Sequence, residues 1–209
     1  YFNPVHSDLA KVDAGMAVFA DYLRLSGELG CDVVASETGS RSDEPWVYHP
    51  QSRTEESLAR VVDAFSLLCD IAAPCGACVA IEGAIGHVCW NVGTLKAAYE
   101  RIGRENLSVV FDLYNFLDRD NCRDYYDILC EGLETFGRAI RFFHLKDCSF
   151  STGTLRRTPL GRGELDYGRI LTAIRKSDPD ATLIMEGTAG GDIPFGAAYI
   201  RRKWSEIAS

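Results

Sequence analysis

No run of apolar residues in this 209-residue chain approaches the roughly 18 that a membrane span needs, which sets a membrane partner aside. Basic residues are in deficit: 22 Lys and Arg stand against 30 Asp and Glu, for a net charge of −8. Phosphate backbones are held by Lys and Arg, so this balance argues against a nucleic-acid partner. Nothing near the start has the charged-then-apolar pattern of a signal peptide, and the expected location is the cytoplasm. The chain opens on Tyr1 rather than Met, inside a polar turn at Asn3-Pro4, and its start reads as cut. Low-complexity tracts and interdomain linkers are missing as well, which leaves a single domain over residues 1–209. Gly161-Arg162-Gly163 lacks the G-x-G-x-x-G spacing and opens no helix directly after a strand, which excludes a dinucleotide cradle.

What is present is ordinary for a soluble globular domain: 46% apolar and 25% charged residues. Eight cysteines are more than such a chain needs, but Cys69, Cys78, Cys89 and Cys130 sit in apolar helix or strand contexts. Free, buried thiols in a reducing compartment are the expectation. Cys75-Gly76-Ala77-Cys78 has redox spacing, yet nothing around it resembles the rest of a thioredoxin unit, and a turn leading into a strand accounts for it.

The informative pattern is a repeated event. Apolar, β-branched and aromatic runs stop abruptly at a polar residue: Ala77 to Glu82, Leu107 to Asp112, Ala139 to His144 with Leu145-Lys146-Asp147 behind it, and Ala181 to Glu186. A further run, Cys31 to Glu37, ends the same way. Between them lie stretches of helical period. A first helix closes at Gly30, and a second, capped near Thr54, repeats Leu58, Val61, Val62, Phe65, Leu68 and Cys69. Others are centred on Leu95, on Leu129 and on Ile170 behind the cap Asp166, and the last covers Phe195 to Ile207. The opening residues, Tyr1 to Asp8, read as the tail of a strand and its loop, and Ser149 to Gly163 as one long loop.

From Glu37 the strand ends recur at intervals of 45, 30, 32 and 42 residues, each one strand–helix unit. Right-handed crossovers make such strands parallel, so their carboxyl ends share one side, where α/β proteins place their chemistry. Glu82, Asp112, His144 and Glu186 on four successive strands are a metal-ligand set; any one alone would be read as a cap on the next helix. A closed (β/α)8 barrel takes about 250 residues, whereas five strands and six helices are visible here. The expected fold is therefore α/β, a TIM-barrel type lacking its first two to three strands.

YFNPVHSD, AIEG, FDLYN, FHLKD, and LGRGELDYGRI followed by LIMEG, in that order and spacing, resemble the sugar phosphate isomerase/epimerase superfamily of xylose isomerase-like barrels over essentially the whole chain. The resemblance implies one divalent cation, manganese, magnesium, cobalt or zinc, on Glu82, Asp112, His144 and Glu186. It also implies that Glu82 and Glu186 act as an acid–base pair on a sugar or sugar phosphate. A ketose held by its carbonyl and neighbouring hydroxyl loses its α-proton to one Glu, and the other returns a proton from the opposite face. Return to the neighbouring carbon gives aldose–ketose isomerisation instead. Substrate contacts are expected from Lys146 and Arg156 or Arg157, as donors to hydroxyls or a phosphate, and from His87, Glu37 and His6 on loops or strand ends at the same mouth. For His49 a plain loop role is the better reading. Family resemblance also suggests a homo-oligomer.

Two rivals share the barrel. Endonuclease IV-type repair enzymes use three zinc ions and need a His three residues after the Asp of FDLYN; Asn115 stands there, and the Asp-x-His pair they require after His144 is missing. A lyase such as an inosose dehydratase shares the metal and the proton abstraction but expels a hydroxyl, and the sequence barely separates it from an epimerase. A non-enzymatic reading, an inactive barrel fragment or binding module, rests on the missing strands, since an open sheet leaves edges that invite association.

Overall fold

The computed structural model describes residues 2–42, 44, 46–151 and 153–207. Two compact units divide the chain, Tyr1–Val110 and Phe111–Ser209. The first contains α1 (Leu9–Leu29), β1 (Val33–Glu37), α2 (Glu55–Ala72), β2 (Cys78–Glu82), α3 (Val92–Ile102) and most of β3 (Leu107–Asp112). Phe111 and Asp112 carry β3 into the second unit, which adds α4 (Tyr125–Phe136), β4 (Ile140–Leu145), β5 (Asp147–Ser149), β6 (Arg156–Thr158), α5 (Tyr167–Ser177), β7 (Leu183–Met185) and α6 (Ile193–Glu206).

Helix boundaries follow their caps. Asp8 accepts from the Ala10 N–H to start α1, and Gly30 in the left-handed region ends it. Thr54 accepts from the Ser57 N–H ahead of α2. At α3, Asn91 and Thr94 satisfy each other's backbone N–H groups in a capping box. Asp166 accepts from both Gly168 and Arg169 at α5. The helical spacing read in α2 is its buried face: Val61, Phe65, Leu68, Cys69 and Ala72 are all shielded from water.

In the first unit β1, β2 and β3 are parallel neighbours, with Glu37 in register with Glu82 and Glu82 with Val110. Its core joins Phe2, Phe19 and Phe65, with the Phe2 and Phe19 rings edge to face at 5.8 Å. In the second unit β4 and β7 are parallel, with Leu145 opposite Met185. There Phe111 packs on Phe116 at 5.4 Å and Phe143 at 6.3 Å. All five main strands and six helices expected from the sequence are present.

Four details differ from expectation. Residues 2–8 form a turn rather than a strand tail, because the Asn3 side chain accepts from the Val5 N–H across Pro4; Tyr1 lies outside the described residues. β1 begins at Val33, two residues late. β7 stops at Met185, so Glu186 stands just beyond the strand. The expected loop from Ser149 to Gly163 contains an antiparallel ribbon, with β5 and β6 pairing Asp147 to Thr158 and Ser149 to Arg156. Three-residue strands are too short to show a period. No helix of the described residues is long and apolar enough to cross a membrane, and none of the eight cysteines forms a disulfide.

Gly132 lets α4 lie against the sheet: a Cβ there would come 2.2 Å from the Phe111 ring. Gly132→Ala is expected to destabilise the protein by about 1–3 kcal/mol, the usual range for overpacking, read as a lowered urea midpoint. An unchanged midpoint would contradict this packing.

Candidate metal centre

The strand ends of the second unit bring three of the anticipated ligands together. Asp112 is the last residue of β3 and wholly buried, His144 lies near the end of β4, and Glu186 follows β7. His144 Nδ1 is 3.0 Å from Glu186 Oε2 and 3.8 Å from Asp112 Oδ2. Each of the three offers a ligand atom within 4.8 Å of the others. Two carboxylates and one imidazole, with no thiolate among them, form a donor set suited to a hard or borderline divalent ion.

Lys146, expected to reach substrate, is instead turned onto the same carboxylates. Its Nζ lies 2.6 Å from Glu186 Oε2 and 2.7 Å from Asp112 Oδ2, and donates to Asn115 Oδ1 at 3.0 Å. Burial works to lower its pKa, but Asp112 and Glu186 outweigh that and raise it. Hydrogen bonds from His144 first and Lys146 second hold the Glu186 carboxyl well below the usual carboxylate range. Asp112 Oδ1 also accepts from the Asn115 N–H at 3.3 Å.

The glycine loop behind FHLKD has a structural explanation. Asp147 Oδ2 accepts from the N–H groups of Gly161 and Gly163, both at 2.9 Å, and its Oδ1 from Cys148 and Leu165. A Cβ on Gly163 would meet that carboxylate at 2.0 Å, so only glycine closes the loop. Burial raises the Asp147 pKa, with the four backbone donors opposing the shift. Buried Tyr167 donates to the Lys146 carbonyl at 2.6 Å. These N–H groups are consumed by Asp147 and present no phosphate cradle.

A cavity of about 230 Å³ lies beside the cluster, bordered by Lys146, Arg157, Thr158, Glu186, Gly187 and Asp192 among others. The Arg157 guanidinium donates to the Glu186 carbonyl oxygen. Arg156 is exposed on β6, opposite Ser149.

In the first unit, Glu82 ends β2 and is 4% exposed; half-buried Glu37 ends β1 beside it in register. His87 is fully buried in the loop after β2, stacked on Trp46 with ring centroids 4.6 Å apart. His6 Nδ1 accepts from the Asp8 N–H at 2.9 Å, and His49 Nδ1 from the Gln51 N–H, the plain loop role anticipated for His49. Three contributors escaped the sequence reading: Asn115, Asp147 and Trp46. The bond from Asn115 to Asp112 uses the backbone N–H, which any residue but proline offers, so the only signal there is the tight turn itself. Trp46 carries none; it holds φ at 69°, uncommon for a non-glycine residue.

A family model described as "Xylose isomerase-like TIM barrel" matches residues 1–203. Among solved structures, a D-tagatose 3-epimerase-like protein is similar with a TM-score of 0.79 and 16% identity, over 99% of this chain and 74% of that one. A xylose isomerase-like TIM barrel protein from Mycobacterium smegmatis, in complex with magnesium, gives 0.76 and 14%, over 97% and 70%. The IOLI protein with a bound zinc atom gives 0.68 and 18%, over 99% and 73%. No curated protein matches the sequence significantly.

Burial lowers the His87 pKa from 6.5 to about 4. The unfolded chain therefore binds the extra proton first, and stability is full above pH 6.5 and falls as pH drops toward 4. The loss attributable to His87 is about 3 kcal/mol. Urea midpoints from pH 7 to 4.5 should fall less steeply in His87→Gln than in the wild type; parallel slopes would show that His87 is not buried neutral.

Proposed function

The chain belongs to the xylose isomerase-like TIM barrel family, and on that premise we propose that it is a divalent metal-dependent sugar or sugar phosphate isomerase or epimerase. The observation that carries this reading is the meeting of Asp112, His144 and Glu186 at strand ends. Glu82, at the end of β2, supplies the fourth ligand in this proposal. Magnesium and zinc in two similar structures support a divalent ion of that class. The ion would polarise a substrate carbonyl and so acidify the neighbouring C–H bond.

The chain's own groups do the rest. Glu186 is ionised, held so by His144 and Lys146, and as a carboxylate it can accept a proton. Removing the α-proton of a ketose gives an enediolate, and Glu82 delivers a proton to the opposite face, inverting the stereocentre. Delivery to the adjacent carbon gives the aldose. Lys146, whose ammonium faces Asp112, Glu186 and Asn115, neutralises charge at the site. Arg156, as a donor, and His87, Glu37 and His6, from their places on loops or strand ends, are assigned to substrate contact in this proposal.

The test is deuterium wash-in. The Mn²⁺-supplemented protein, incubated in D₂O with a panel of ketopentoses, ketohexoses and their phosphates, should introduce one deuterium at a carbon next to the carbonyl, seen by NMR. Loss of water instead of stereochemical inversion would favour the lyase. Glu186→Gln should slow exchange by at least about 100-fold with the circular dichroism spectrum unchanged. Full exchange in that variant would remove Glu186 from the acid–base pair.

A further inference from the structure

The ribbon formed by β5 and β6 carries a function beyond joining β4 to α5. Its Arg157 reaches 29 residues along the chain to donate to the carbonyl oxygen of Glu186. The next residue, Gly187, holds φ at +56°, and a Cβ built there would lie 2.0 Å from Arg157 Nη2 and 2.6 Å from its Cζ. The guanidinium thus occupies the space a side chain at 187 would need. We propose that Arg157 is a positioning residue: it fixes the backbone at Glu186–Gly187 and thereby aims the Glu186 carboxylate at His144.

Glu186 stands past the end of β7, and its own N–H donates to the Leu145 carbonyl over a long 3.4 Å. His144 and Lys146 grip the Glu186 carboxylate, so the peptide it springs from must be held on its carbonyl side as well if side chain and backbone are to stay aligned. Arg157 does that, and the ribbon that presents it is itself fixed. Cys148 faces Arg157 across the ribbon, and the neighbouring Asp147 takes N–H groups from Gly161, Gly163 and Leu165. A rigid donor fork is better suited to hold one oxygen in place than a flexible ammonium. Asp147, Arg157 and Gly187 therefore form one relay that ends at the Glu186 peptide.

The inference rests on the proposed function only for the use made of the Glu186 carboxylate; the hold on its backbone stands apart from it. Amide hydrogen exchange, read by mass spectrometry on peptides covering residues 183–190, tests the hold directly. Arg157→Gln should speed exchange there at least tenfold, with β2 and α2 peptides unchanged and the melting temperature within a few degrees. Arg157→Lys, a flexible ammonium in place of the fork, should restore only part of the protection, and Gly187→Ala, which expels the guanidinium, should mimic Arg157→Gln. Unchanged exchange in Arg157→Gln would overturn the assignment, as would an equal rise across the whole second unit. A Mn²⁺ titration of the wild type by calorimetry separates the two claims. Altered exchange in the variant with no Mn²⁺ uptake by the wild type would sink the metal reading and leave Arg157 in its role.

Discussion

Two carboxylates drawn toward one point from separate strands repel each other, and where water is excluded that repulsion is strong. Asp112 is wholly buried, and Glu186 comes to the same His144 nitrogen. Such a pair persists only beside positive charge. In this protein the Lys146 ammonium supplies it, within 2.7 Å of both. Much of the second unit serves that lysine. Tyr167 holds its carbonyl, the Asn115 side-chain oxygen accepts a hydrogen bond from its ammonium, and Asp147 ties the following loop back to the strand end. A divalent ion would meet the same electrostatic demand with more charge, so the cluster is built for a cation whichever one it holds.

The strands and helices were legible because their signals are local. Alternation of apolar runs with helical period, and caps at Asp8, Thr54, Asn91 and Asp166, depend on residues a few positions apart. The convergence of Asp112, His144 and Glu186 was legible too, since parallel strands in right-handed order leave their carboxyl ends on one side. What escaped is what depends on distant partners. Nothing in the sequence near Asp147 says that its oxygens are claimed by amides 14 to 18 residues away. Arg157, read as a donor to substrate, has its partner 29 residues on.

The β5–β6 ribbon was missed for a different reason: three residues a side leave no periodic trace. Likewise, the burial of His87 under Trp46 depends on two loops meeting, which neither loop announces. Gly163 and Gly187 show how the same letter hides separate causes. One admits a carboxylate and the other a guanidinium, and both would read as turn residues.

We propose that Asp112, His144 and Glu186, with Glu82, hold a divalent metal. Elemental analysis of the folded protein, as purified and again after chelation and dialysis against Mn²⁺, tests it most directly. About one divalent ion per chain, removed by the chelator, regained on dialysis and bound at least tenfold more weakly by His144→Ala, is the predicted result. A well-folded chain that takes up no ion in either state would contradict it and leave Lys146 as the only cation the carboxylates were built to hold.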